Sequence, residues 1–364
     1  MENYSVFLPC YSIGDDEIYK KIPGICGLYG KTAVVIGGQT AMAKAKESLL
    51  AGIADSDISI NDFVLYGNEA SFEAAAALCE NAAVQEADMI FAVGGGKAID
   101  TAKIVGDDLG KPVFTFPTIA ATCAPTSAIS AVYHPDHSYR TVRIYAAPPV
   151  HCFMNTRIMV EAPSQYLWAG IGDTLAKYYE PTFSGRGREL EHFNAMGLMI
   201  SGMCVEPLVR YGKEAMDANK ARQGSYAFDQ VVLNIIVSTG LVSNLVDMDY
   251  NSSIAHATAY GLTTLEQVEK NHLHGENVSY GVLVMLTMDN QSEEREKIFA
   301  FNKSIGLPTK LADFGITVDD LASVLDKAAS VNDIVVSPYE ITRDMFEKAI
   351  LDLLYLYPQY NSEQ

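Results

Sequence analysis

The chain has 364 residues, 49% hydrophobic and 20% charged, the balance of an ordinary globular enzyme at a length that exceeds what a single core usually holds, so two domains are expected. Its formal charge of −19, from 45 acidic against 26 basic side chains, opposes polyphosphate backbones and sets nucleic acid aside as a partner. No opening segment has the basic, apolar and small-residue order of a signal peptide, and no apolar run reads as long enough to cross a bilayer, so the expectation is a cytoplasmic protein with no membrane partner.

The six cysteines, Cys10, Cys26, Cys79, Cys123, Cys152 and Cys204, are scattered without a Cys-x-x-Cys pair and read as free thiols in a reducing compartment. From Lys31 onward, short β-branched runs alternate with helical ones. Strands are expected at Ala33–Ile36, Phe63–Tyr66, Met89–Val93 and Val113–Phe116, and helices at Thr40–Leu50, Phe72–Ala87 and Lys97–Leu109. Continuously apolar strands separated by helices indicate a parallel sheet covered on both faces, which binds ligands at the carboxyl ends of its strands.

Between Ala131 and Ala147 the pattern changes to Tyr and Arg residues around His134-Pro135-Asp136-His137-Ser138, read as a hairpin on the sheet's edge. After about Pro149 the strand pattern fades and helical stretches run to Tyr357. Thr317 with Asp320 forms a capping box, and Phe346, Ile350, Leu353 and Tyr357 recur at helical spacing. The boundary is placed near Met159, giving an α/β nucleotide-binding domain over 1–158 and an all-α, metal-binding domain over 159–364.

Two clusters carry chemistry. The strand Met89–Val93 runs into Gly94-Gly95-Gly96 and then a helix starting Lys97-Ala98-Ile99-Asp100. Residues without Cβ let backbone approach a pyrophosphate, and the helix start offers free N–H groups and a positive dipole end. The glycines also read as a plain tight turn. The fingerprint G-x-G-x-x-G is absent, and the earlier turn at Gly37-Gly38 carries no carboxylate for a ribose 2′-OH, which leaves both NAD and NADP open.

The second cluster is Asp173, in AGIGDTLAKYYE near the expected start of a helix, with His256, His272 and His274. Two imidazoles and one carboxylate suit Zn²⁺ or Fe²⁺ and leave coordination positions open. From spacing alone His272 and His274 compete for the role, and a lone His on a helix also reads as an ordinary core residue.

Several blocks taken together resemble the iron-containing alcohol dehydrogenase superfamily, and most closely its glycerol dehydrogenase-like branch. They are VGGGKAIDTAK (Val93 to Lys103), PTIAAT (Pro117 to Thr122), PTSAISAVY (Pro125 to Tyr133), the AGIGDTLAK block ending at Lys177, AHA-x-x-x-GLT (Ala255 to Thr263) and LHGE-x-V-x-x-GVL (Leu273 to Leu283). The resemblance implies a Rossmann-like N-terminal domain, an all-α C-terminal domain, the dehydroquinate synthase-like/glycerol dehydrogenase-like architecture, and a cleft for nicotinamide cofactor and one divalent metal. It puts the metal ligands, which are also the catalytic set, on Asp173, His256 and His274, selecting His274 over His272. Cofactor contacts fall on Gly96, Lys97, Thr118, Ser127, Ile129 and Tyr133, with Gly94, Gly95 and Asp100 in the same turn and Gly37 at the ribose end.

Two departures from the glycerol enzymes stand out. Those enzymes have Asp where this chain has the substrate-pocket residue Cys123, and Asp in place of Gly37. The Thr122-Cys123-Ala124 variant is similar to NADPH-linked hydroxycarboxylate dehydrogenases, which reduce 2-oxo acids, and Arg140 or Arg143 offers a partner for such a carboxylate. The expected function is therefore a metal-dependent, NAD(P)-dependent oxidoreductase interconverting a small alcohol, polyol or 2-hydroxy acid, with its carbonyl compound. A 3-dehydroquinate synthase-like lyase and a non-catalytic nucleotide-binding relative are the alternatives. A homo-oligomer is expected from the resemblance.

Overall fold

In the computed structural model, which describes residues 4–357, the apolar runs of the first half become β1 (Tyr11–Gly14), β2 (Thr32–Gly37), β3 (Ser59–Leu65), β4 (Met89–Gly94) and β5 (Val113–Pro117), followed by β6 (Ile129–Tyr133), β7 (Tyr139–Ile144) and β8 (His151–Asn155). Six of them form one parallel sheet in the order β1-β8-β5-β4-β2-β3. Helices α1 (Gln39–Ile53), α2 (Phe72–Cys79), α3 (Ala82–Glu86) and α4 (Gly96–Leu109) supply the crossovers between β2 and β5.

The alternation along β2 shows why both faces are covered. Ala33 and Val35 enter one core with Phe91, Phe114, Phe116 and Phe153, while Val34 and Ile36 enter another with Ile90, Ala92 and Ile99. The phenylalanines touch across strands, Phe91 to Phe116 at 5.0 Å and Phe116 stacked on Phe153 at 5.1 Å between ring centroids. Each such ring contributes about 1.5–3 kcal/mol by leaving water.

Four expectations are corrected here. The helix read over 72–87 is two helices, because Asn81 stops the first and caps the second by accepting the Val84 N–H at 3.3 Å. The hairpin, β6 with β7, is a separate two-stranded antiparallel sheet; β1 and β3 are the edges of the main one. Strands do not end before Pro149: β8, HCFMN, is buried throughout although its His and Asn dilute the apolar signal. One helical run, Tyr226–Leu245, is long and apolar enough to cross a bilayer by length and composition, but 67% of its apolar window is buried inside the protein.

That run contains a π turn at Asn234–Ser238 and belongs with the sheet. The chain divides into two compact units, one holding Asp217–Asn244 with the described part of Met1–Leu167, the other Trp168–Met216 with the described residues from Leu245 on. A single cut near Met159 does not follow this division. The excursion is tied to the loop after β5: Thr126 donates its hydroxyl to the Ile236 carbonyl at 2.5 Å, and Asn244 bridges the Ala128 N–H and the Thr126 carbonyl at 2.7 and 2.9 Å.

The second unit has no strand among the described residues. Its centre lies between α5 (Ser164–Ser184, from Trp168 on), α6 (Ile254–Leu262) and α7 (His274–Met288), with α8 (Arg343–Leu356) packed on α7. Glycines let these backbones meet. A Cβ on Gly275 would stand 1.8 Å from the Ala169 carbonyl oxygen, and one on Gly281 would stand 2.2 Å from that of Ala255. The Thr317 N–H donates to the Asp320 carboxylate at 2.8 Å, and Phe346, Ile350, Leu353 and Tyr357 are buried, as their spacing indicated.

Candidate metal centre and nucleotide turn

Asp173 lies in the middle of α5 rather than near its start, since the helix already begins at Ser164. His256 is in the first turn of α6 and His274 is the first residue of α7. The close approach of α7 to α5 at Gly275 and Gly172 brings the three together: Asp173 Oδ1 is 3.6 Å from His256 Nε2 and 3.6 Å from His274 Nε2. The three donor atoms all lie within 4.8 Å of one another. A tetrahedral ion with bonds of about 2.1 Å sets its donors roughly 3.4 Å apart, so this set fits a divalent cation.

The electrostatics agree with the geometry. Burial alone would push the His256 imidazole down, but the Glu180 and Asp173 carboxylates outweigh it and raise it to about 10. Burial would likewise push the Asp173 carboxyl up, but His256, His274 and Lys177 hold it down at about 2. A proton on His256 Nε2 thus shares with Asp173 the position that a cation would take. Lys177, one turn after Asp173, donates to the carbonyl and side-chain oxygens of Asn251 at 3.3 Å.

Glu180 did not figure among the expected site residues. It lies two turns after Asp173 on α5, is 0% exposed, and receives His256 Nδ1 at 2.5 Å. Its other oxygen accepts the backbone N–H groups of Ser253 and His256 at 2.7 and 2.9 Å. His272 has a different task. Its Nδ1 is 2.9 Å from Glu276 Oε2, the other oxygen of Glu276 accepts the Leu273 N–H at 2.8 Å, and its ring packs on Phe314, so His272 secures the start of α7 and His274 faces Asp173.

In the first unit, β4 ends at Gly94, whose φ of +152° suits glycine, and α4 starts at Gly96 with no side chain capping its free N–H groups. A Cβ on Gly95 would meet Ile119 at 2.7 Å, and one on Gly96 would meet Thr122 at 3.0 Å. Thr118 joins the turn by donating its N–H to the Gly94 carbonyl at 3.1 Å. Lys97 lies over the Tyr133 ring, 5.2 Å from its centroid, and its ammonium is 2.5 Å from buried Glu69, a second residue that motif reading missed. Glu69 also receives His137 Nδ1 at 2.7 Å and the Ala70 N–H at 2.8 Å.

Ser127, just before β6, and Ile129, its first residue, are held by buried Lys103, which donates to the carbonyls of Ala124, Ser127 and Ile129. Asp100 points to that support, not to the turn: it pairs with Lys103 at 2.9 Å and accepts the Ala131 N–H at 3.3 Å, and burial pushes its carboxyl up. Gly37 ends β2 beside β4, where a Cβ would stand 2.3 Å from the Val93 carbonyl oxygen. Cys123 Sγ is 3.7 Å from Ser243 Oγ. Arg140 pairs with Glu73 at 3.0 Å, and Arg143 pairs with Asp107 and Asp108.

Comparison with known proteins gives a family model described as iron-containing alcohol dehydrogenase, matched over residues 11–154. The glycerol dehydrogenase of Thermotoga maritima is 33% identical over 277 residues, covering 72% of this chain and 73% of that protein. Hydroxycarboxylate dehydrogenase A of Escherichia coli is 33% identical over 237 residues, 65% of each chain. The crystal structure of a probable glycerol dehydrogenase from Sinorhizobium meliloti superimposes with a TM-score of 0.83 at 29% identity, covering 98% of this chain and 99% of that one.

Proposed function

This chain belongs to the iron-containing alcohol dehydrogenase superfamily, in its glycerol dehydrogenase-like branch, and on that premise we propose that it is an oxidoreductase interconverting a small alcohol and its carbonyl compound with NAD or NADP and one divalent metal. The observation that carries the proposal is the equal 3.6 Å spacing from Asp173 Oδ1 to the Nε2 atoms of His256 and His274. These three residues are the proposed metal ligands. A divalent ion held there would supply Lewis acidity toward an alcohol or carbonyl oxygen, and a nicotinamide would supply the hydride chemistry.

The chain's own residues hold and orient. In the first unit, the Gly94–Gly96 turn and the uncapped start of α4 offer N–H groups to a pyrophosphate, with Thr118, Lys97 and Tyr133 beside it. Ser127 and Ile129, at the entry to β6, line the cofactor side and are fixed by Lys103. Cys123, whose sulfur lies 3.7 Å from the Ser243 hydroxyl, shapes the substrate pocket. The six free thiols support work in a reducing compartment, and assembly as a homo-oligomer rests on the family resemblance alone.

The substrate is a polyol or a 2-hydroxy acid. A panel of diols, glycerol and 2-oxo acids, assayed with both cofactors after adding Zn²⁺ or Fe²⁺, separates the two classes by the nicotinamide absorbance change. Absence of any such change across the panel would favour a lyase that cycles its nicotinamide without net redox.

A further inference from the structure

His256 can ligate a metal through Nε2 only if its remaining proton sits on Nδ1, and the fold contains a dedicated acceptor for that proton. We infer that Glu180 is the positioning residue that fixes the tautomer and orientation of His256 for metal binding. The inference rests on the reading of Asp173, His256 and His274 as one metal set.

Three observations meet on this carboxylate. Its Oε2 is 2.5 Å from His256 Nδ1, its Oε1 accepts the N–H groups of Ser253 and His256, and it is 0% exposed, so no solvent replaces a lost partner. Ser253 stands at the N-cap of α6 without a side-chain cap bond of its own, and Glu180 from α5 takes that place. One residue therefore ties the backbone that carries His256 to the helix that carries Asp173, and also sets which ring nitrogen is free. An acceptor behind a ligating imidazole fixes its tautomer and raises its basicity.

Glu180→Gln separates the two tasks. The amide oxygen still accepts the Ser253 and His256 N–H groups, but the amide nitrogen is a donor facing Nδ1. His256 must then carry its proton on Nε2, toward Asp173. The test is a zinc competition titration of the full-length, metal-stripped protein as wild type, Asp173→Asn and Glu180→Gln, with thermal unfolding of each metal-free form. The expected result is that Glu180→Gln weakens zinc binding by about 10- to 100-fold while nucleotide binding to the first unit is unchanged.

A lower unfolding temperature with unaltered zinc affinity would make Glu180 a helix cap alone and overturn the inference. Unaltered affinity in both variants would overturn the metal reading and this inference with it, whereas weakened binding in Asp173→Asn alone would overturn only the role of Glu180. If Glu180→Gln does not fold, nitrogen-15 spectra of the zinc-loaded wild type decide: Nδ1 protonation of His256 is expected, and protonation of Nε2 contradicts the assignment.

Discussion

The Lys97 ammonium lies 2.5 Å from Oε2 of Glu69, a carboxylate only 3% exposed, so the cation that opens α4 is tethered by an anion of the protein's own. Burial works to raise the Glu69 carboxyl, but Lys97, His137 and the Ala70 N–H bring it below the ordinary value. A depressed carboxyl stabilises the fold above its unfolded value of about 4.3 and loses that contribution as pH falls through the folded value. Glu69→Gln is therefore expected to cost about 1–2 kcal/mol near neutrality, with the gap from wild type closing in acid. Urea unfolding in neutral and acidic buffer checks this; an equal gap in both would mean that Glu69 acts by packing alone.

Gly37 closes β2 against β4. Replacing it with Asp, the residue of the glycerol enzymes, would put a Cβ 2.3 Å from the Val93 carbonyl oxygen of the neighbouring strand. The expected outcome is a loss of about 1–3 kcal/mol of stability, read as a lowered unfolding temperature. A variant as stable as the parent would mean that β2 shifts freely against β4.

Metal binding should release a proton. In the metal-free chain His256 is raised to about 10 and Asp173 lowered to about 2, so at about pH 8 zinc displaces about one proton from His256. Calorimetry in two buffers of different ionisation enthalpy measures it; a value near zero would contradict the pairing. The same raised imidazole stabilises the metal-free chain below the ordinary histidine value of about 6.5, and that contribution is lost as pH rises through about 10.

The hairpin arginines are already engaged, Arg140 with Glu73 and Arg143 with Asp107 and Asp108. Arg140→Ala and Arg143→Ala are expected to leave the KM for 2-oxo acids within about twofold, as exposed ion pairs contribute little. A large rise in KM for either variant would place that side chain at the substrate carboxylate.

What could be read in the sequence was what lies close along it or recurs with a period. The strands β2, β4 and β5 announced themselves because burial on both faces demands unbroken apolar runs, and the glycine turn because a strand ran straight into a helix. Edge strand β1 and polar-flecked β8 lacked that contrast. Asp173, His256, His272 and His274 were legible as ligand types, but the choice of His274 and the meeting of the three came from resemblance, since nothing in their spacing brings residues so far apart in the chain together. Glu180 was closer to being legible: seven residues after Asp173 is two helical turns, the same face of α5. Glu69 gave no signal, because its partners Lys97 and His137 come from α4 and the β6–β7 turn.

The most direct measurement follows nicotinamide absorbance during turnover of wild type and Asp173→Asn, each stripped with chelator and then resupplied with Zn²⁺ or Fe²⁺. Wild type should lose turnover on stripping and regain it with metal, while Asp173→Asn should bind nicotinamide dinucleotide normally and stay inactive at every metal concentration. An Asp173→Asn protein that turns over, or a wild type indifferent to chelation, would contradict the assignment of Asp173, His256 and His274 as the metal centre.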